Sequence, residues 1–175
     1  MDTTENIEIR LAGAGDAVLI SILASTTFYE AYFEQDESEN LARYISDSFE
    51  FRRIAAELDD PAVVFPLIFV KGKAVGYAKL DKSSSLECVK SMNCVELQRI
   101  YVVERLYGSG AGTALLNHCL SLAKSSGFDK LWLQVWEENP RARRFYEKHG
   151  FEPVGKIEVP YGDVIGTNLV MAKAL

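Results

Sequence analysis

The chain has 175 residues, of which 48% are hydrophobic and 25% charged, and a net charge of −6. That length predicts one domain over residues 1–175 with a sizeable core, and the acidic balance argues against a nucleic-acid scaffold while being compatible with small cationic substrates. No apolar run reaches transmembrane length, and the polar, acidic start MDTTENIEIR is not a signal peptide, so a cytoplasmic protein with no membrane partner is expected.

Residues 7–11 alternate apolar and polar, a short first strand. Gly13, Gly15 and Asp16 form a turn, with Asp16 as N-cap of a helix over 17–33. That helix is expected to turn Val18, Ile22, the 24–27 segment and Phe28 to one side. A charged loop follows at 34–39. Leu41, Tyr44, Ile45 and Phe49 carry a second helical stripe, and 48–58 reads as a third helix ended before Pro61. The aromatic residues crowded here are read as core packing, with a few open to a role in lining a substrate pocket.

Residues 62–70 (AVVFPLIFV) form a strand in which Pro66 implies a bulge or an edge position. Lys71, Gly72 and Lys73 make a hairpin turn into a strand over 74–80. Residues 81–93 are polar and serine-rich, an irregular surface loop. Strands follow at 94–103 and 131–135. A short helix over 140–149 has Asn139 as its cap, Pro140 at its first position and Gly150 as a left-handed end. Residues 151–154 and 167–173 are the last strands. This order predicts an α/β (α+β mixed) fold: a central mixed, twisted sheet of about seven strands with helices on both faces. Cys88, Cys94 and Cys119 are odd in number and lack a C-x-x-C pair, so no metal site and no disulfide framework is expected.

The stretch 100–124 carries the chemistry. Ile100, Tyr101, Val102 and Val103 suit a half-buried strand. Gly108, Gly110 and Gly112 follow, then an amphipathic helix containing Leu115, Leu116, Cys119, Leu120 and Ala123. Glycines beside a helix start let the backbone approach a ligand closely, and first-turn N–H groups attract an anion such as a pyrophosphate. A dinucleotide fingerprint would need glycine where Thr113 stands, and a P-loop would need a Gly-Lys-Ser/Thr that the chain lacks.

A third reading resembles the pyrophosphate loop of GNAT-superfamily N-acetyltransferases, [Gln/Arg]-x-x-Gly-x-[Gly/Ala]. Two frames are open. Arg105 to Gly110 matches literally, whereas Tyr107-Gly108-Ser109-Gly110-Ala111-Gly112 departs at its first position. The second is preferred because its last glycine stands just before Thr113, where the helix is expected to begin. WEENPRARRFYEKHGF resembles the second half of the same cofactor site, in Asn139, Ala142, Phe145, Tyr146, Gly150 and Phe151. The likeness then narrows to the PaiA-type spermidine/spermine N-acetyltransferases. It implies acetyl-CoA as co-substrate and a small-molecule amine, with polyamines leading. It also implies that Asp163, in the loop Tyr161-Gly162-Asp163, touches the amine or supports a homodimer.

Under this resemblance Ile100, Tyr101, Val102, Tyr107, Gly108, Ser109, Gly110, Ala111, Gly112, Thr113, Asn139, Arg143, Tyr146 and Lys148 bind the cofactor. Tyr146 is the candidate general acid toward a departing thiolate. Glu96 is the candidate base, and the competing reading is an ordinary strand carboxylate or one that only binds the cation. Gln98 is placed to orient water, and Arg99 to pair with an acid. A solvated helix face competes for Arg141, Arg143, Arg144 and Lys148. The expected reaction is direct attack of a neutral amine on the thioester, with a strand N–H of residues 100–102 on the oxyanion. A protein or amino-acid N-acetyltransferase and a non-catalytic CoA-binding regulator are the rival readings.

Overall fold

A computed structural model describes residues 6–161 and 164–175. In chain order its elements are β1 (Ile7–Leu11), α1 (Ala17–Tyr32), α2 (Ser38–Phe49), α3 (Phe51–Asp59), β2 (Val63–Val64), β3 (Pro66–Val70), β4 (Lys73–Asp81), β5 (Cys94–Val102), α4 (Ala111–Ser125), β6 (Lys130–Trp136), α5 (Pro140–Lys148), β7 (Glu152–Tyr161) and β8 (Val164–Ala174). The eight strands form a mixed sheet in the order β1-β3-β4-β5-β6-β8-β7, with β2 beside β4. The β5–β6 pair is parallel, while β1–β3, β3–β4, β6–β8 and β7–β8 are antiparallel. Helices lie on both faces of the sheet, as the element order predicts. No helix among the described residues is long and apolar enough to cross a membrane.

One compact unit comprises residues 1–80 and 99–119. Its core joins Ile20, Leu23, Ala24 and Phe28 of α1 to Leu41, Phe49, Ile54, Phe65, Leu67 and Tyr77. Phe28 stacks on Tyr44 at 4.5 Å between centroids. Of the residues expected to share one side of α1, Ala24, Thr27 and Phe28 are buried, whereas Val18 and Ile22 are exposed. This helix is apolar on two sides, so its period alone does not say which side turns in. Asp16 precedes α1 but does not cap it. Its carboxylate instead accepts from Arg10 at 2.8 Å and from the Gly13 N–H at 2.8 Å. Glu50 divides α2 from α3, and its side chain accepts from the N–H groups of Arg52 and Arg53. The third helix therefore starts at Phe51 rather than Ser48.

The expected strand over 62–70 is broken at Phe65. Pro66 is the first residue of β3, opposite Leu11, and the register shift falls at Ile68 and Phe69. A proline without an N–H is tolerated at a strand's start, so β3 needs no edge position. Lys71 and Gly72 both take positive φ, 52° and 74°, as a tight two-residue hairpin requires. At Gly76 a Cβ would overlap the Tyr101 carbonyl oxygen and press on Val102, so only glycine allows this close approach of backbones.

The second unit comprises residues 81–98 and 120–175. Its core packs Val89 against Trp132, Val170 and Ala172, with Leu86, Cys88, Met92 and Cys94 around them. Residues 81–93 are therefore more than a surface loop: Val89 is fully buried. The final hairpin is longer than expected. β7 runs to Tyr161 and β8 begins at Val164. Pro153, Gly155 and Pro160 interrupt the strand signal, yet Ile157 and Val159 are half-buried while Lys156 and Glu158 face out. Tyr161 pairs in register with Val164, so it belongs to the strand. Gly162 and Asp163 lie outside the described residues.

Candidate active site

The glycine loop belongs to the first unit. β5 delivers Ile100 and Tyr101, half-buried, and Val102, buried. The Tyr101 ring packs near Tyr77 and Phe28, at 6.1 and 6.5 Å between centroids. A single 3-10 turn follows at Glu104–Leu106, with the Glu104 N–H donating to the Glu30 carboxylate at 2.8 Å. Tyr107, partly exposed, donates from its N–H to the Glu104 carbonyl. Gly108 and Gly110 take φ of 77° and 92°, and a Cβ built on either meets open space. The loop thus needs glycine for its backbone and leaves room beside it.

α4 begins at Ala111, two residues before the expected Thr113. Gly112 is already helical, so the reason for preferring the second motif frame does not hold. Both frames share Gly108, Ser109 and Gly110. Ala114 donates its N–H to Gly110 at 2.9 Å. The N–H groups of Gly112 and Thr113 lie ahead of that rung, where a helix supplies no acceptors and the dipole is positive. Ser109 serves the loop itself: its hydroxyl donates to Leu106 at 2.7 Å and accepts from the Ala111 N–H at 3.3 Å. This start fits a diphosphate.

Arg99 pairs with Glu57 at 3.4 Å, as the sequence suggests. The sequence reading missed Lys79, which is buried and meets Glu57 at 3.0 Å. Its signal was a lysine on the alternation of Tyr77, in the otherwise apolar stretch 74–80. The Tyr77 hydroxyl is buried without a hydrogen-bond partner. Burial pushes its pKa up, so it stays protonated.

The second unit holds the acid–base candidates. Glu96 is 2% exposed. Its carboxylate accepts from the Gln134 amide at 3.1 Å and the Gln98 amide at 3.4 Å. Asn168 donates in turn to Gln134 at 3.5 Å. Gln134 and Asn168 were not expected from the sequence, although Gln134 is the one polar residue of LWLQV.

At the start of α5, Asn139 accepts the Ala142 N–H on its side-chain oxygen at 3.0 Å. Gly150 closes the helix with φ 82°. Tyr146 is half-buried, its ring edge-on to Phe145 and Phe151 at 5.4 and 5.7 Å between centroids. Arg143 folds back to donate to the Glu137 carbonyl at 3.2 Å, while Arg144 and Lys148 are exposed. Among the described residues no group of three or more His, Cys, Asp or Glu is arranged to hold a metal ion.

Known proteins resemble this chain along most of its length. An uncharacterised N-acetyltransferase of Mycobacterium tuberculosis is 30% identical over 160 residues, covering 91% of this chain and 98% of that one. A spermine/spermidine N(1)-acetyltransferase of Bacillus subtilis is 27% identical over 95 residues, covering 52% and 60%. The crystal structure of PaiA N-acetyltransferase from Thermoplasma acidophilum, in complex with coenzyme A, superposes with a TM-score of 0.79 at 21% identity, covering 97% and 99%. The model of the acetyltransferase (GNAT) family matches residues 24–151. This chain therefore belongs to the acetyltransferase (GNAT) family, as an acyltransferase with acetyl-CoA as its co-substrate.

Proposed function

We propose that the chain acts as one catalytic domain, in the cytoplasm, transferring acetyl groups to a primary amine, with polyamines such as spermidine or spermine as the leading acceptors. The observation that carries this reading is the start of α4, where two positive-φ glycines leave first-turn N–H groups open to a diphosphate. The partial likeness to the Bacillus subtilis enzyme and the PaiA-like fold support the polyamine assignment.

Acetyl-CoA supplies the activated acetyl thioester. Residues 107–113 hold its diphosphate, with Asn139, Arg143 and Lys148 as further contacts. Glu96 takes the proton of the acceptor ammonium, directly or through a water oriented by Gln98. Its two amide donors fix the carboxylate without neutralising it. The amine nitrogen bonds to the thioester carbonyl carbon, a backbone N–H of residues 100–102 stabilises the oxyanion, and as the C–S bond breaks Tyr146 donates its phenolic proton to the thiolate and regains one from the new amide nitrogen. Burial disfavours two of the three thiols, Cys119 and Cys94, as nucleophiles. Burial pushes the Cys119 thiol up to about 12 and raises that of Cys94, which removes thiolate from both at neutral pH.

The test is free-thiol release from acetyl-CoA with spermidine, spermine, putrescine, amino acids and short peptides as acceptors. Turnover with spermidine or spermine supports the reading. Turnover with peptides or amino acids alone discards the polyamine assignment and keeps the transferase. Glu96→Gln is expected to remove the acid limb of the kcat/KM profile for a good acceptor, and an unchanged limb would take Glu96 out of the base role.

A further inference from the structure

α1 is apolar on two faces, and its own unit uses one of them. Ala17, Ile20, Leu23, Ala24 and Phe28 are buried in the helical core. On the other side Val18, Ile22, Tyr29 and Phe33 are 56%, 59%, 39% and 55% exposed. At 3.6 residues per turn these four fall within about 60° of one another, a single stripe along the helix. Tyr29 and Phe33 already touch there, with ring centroids 5.7 Å apart. Glu30 is the one charged residue of α1, and its carboxylate is engaged by the Glu104 N–H. A helix that is apolar all round is normally covered all round.

The spacing identifies the cover. Val18 and Phe33 are equidistant from the midpoint between Ser25 and Thr26, and so are Ile22 and Tyr29. An antiparallel helix pair on a two-fold axis requires this palindrome, because residue i then faces j while j faces i. Small residues stand at the centre, where the backbones come closest. Ser25 donates its hydroxyl to the Ser21 carbonyl at 2.7 Å, so covering it leaves no donor unpaired. We propose that α1 pairs antiparallel with α1 of a second copy of this chain, about an axis at Ser25 and Thr26. Val18 then packs on Phe33 of the second copy, and Ile22 on its Tyr29.

A helix of sixteen residues is about 24 Å long. One such pair is a small interface, so a dissociation constant of roughly micromolar order is expected. The proposal does not depend on the chemistry at Glu96 or Tyr146. Sedimentation velocity of the full chain across the micromolar range tests it. The unaltered chain should pass from monomer to dimer. Ile22→Glu and Tyr29→Lys, each alone, should weaken association at least about tenfold. The double variant should regain it, because each introduced carboxylate meets an introduced ammonium across the axis. In one helix these positions are seven residues apart and do not pair. That regain also separates a lost interface from a damaged fold. A chain that stays monomeric throughout, single variants that associate normally, or a double variant that fails to recover would each overturn the proposal.

Discussion

Two helices of this chain begin beside turns of similar length and opposite chemistry. At α5 the Asn139 side chain takes the Ala142 N–H, and Pro140 removes a donor that would have needed a partner. At α4 no Asn or Asp stands at the start. Glycines with positive φ come first, and the amides of Gly112 and Thr113 precede the first rung of the helix. The α5 start is closed by its own sequence, about two turns before Tyr146. At the α4 start the Ser109 hydroxyl takes the Ala111 N–H, and the next amides, of Gly112 and Thr113, are the ones proposed to meet a diphosphate. A helix N-terminus becomes an anion site where the sequence withholds a cap.

Substitutions at the two starts should therefore fail differently. Gly110→Val forces a β-branched residue to φ 92° and puts a side chain in the open space of the loop. CoA affinity should fall by about a hundredfold or more, as expected when several charge-assisted bonds are lost together. Titration calorimetry reads this, and unchanged affinity would show that the α4 start binds no diphosphate. Tyr146→Phe keeps the ring against Phe145 and Phe151 but removes the phenolic proton. It should lower kcat by about a hundredfold with CoA affinity nearly constant. Parallel losses in both would make Tyr146 a structural residue.

Asn139→Ala attacks the closed start. It should cost about 1 kcal/mol of stability, read by denaturant titration. Its effect on CoA affinity should stay far below that of Gly110→Val. A loss as large as the glycine variant's would erase the contrast and make Asn139 a ligand contact first. The smallest effect belongs to the turn before α1. Hydrogen bonds from the Arg10 guanidinium and then from the Gly13 N–H hold the Asp16 carboxyl at about 2, below its usual 3.8. A depressed carboxyl stabilises the fold above its unfolded pKa and loses that contribution as pH falls toward the folded value. Between about pH 4 and 2, then, Asp16→Asn should flatten the acid-induced loss of stability, by less than about 1 kcal/mol for so exposed a pair.

The same contrast explains what the sequence disclosed. Caps, prolines and glycines act through their nearest neighbours, so the limits of α5, the Lys71–Gly72 hairpin and the glycine loop were legible. What depends on distant partners was not. Val18 and Ile22 were grouped on one side with Phe28, because α1 offers two apolar faces and only the residues packed on it separate them. Val89 is buried by Trp132 and Val170, far along the chain, in a stretch that reads as polar. Glu96 stood out as a carboxylate on a strand, yet its setting is made by Gln134 on another strand and Asn168 on a third. Pro66 misled because a proline inside an apolar run looks like a defect, when it was the first residue of a new strand.

The strand order has a consequence for synthesis on the ribosome. β6 has β8 as a neighbour, and β8 separates it from β7, although β7 emerges first. A chain growing from its N-terminus exposes LWLQV and then β7 before the strand that joins them exists. Until Ala174 has been made, β6 presents an unpaired row of backbone groups beside an apolar face. Nascent chains stalled between Trp136 and Val164 are thus the ones most in need of a chaperone, whereas the α1–α3 core has all its helices in hand long before.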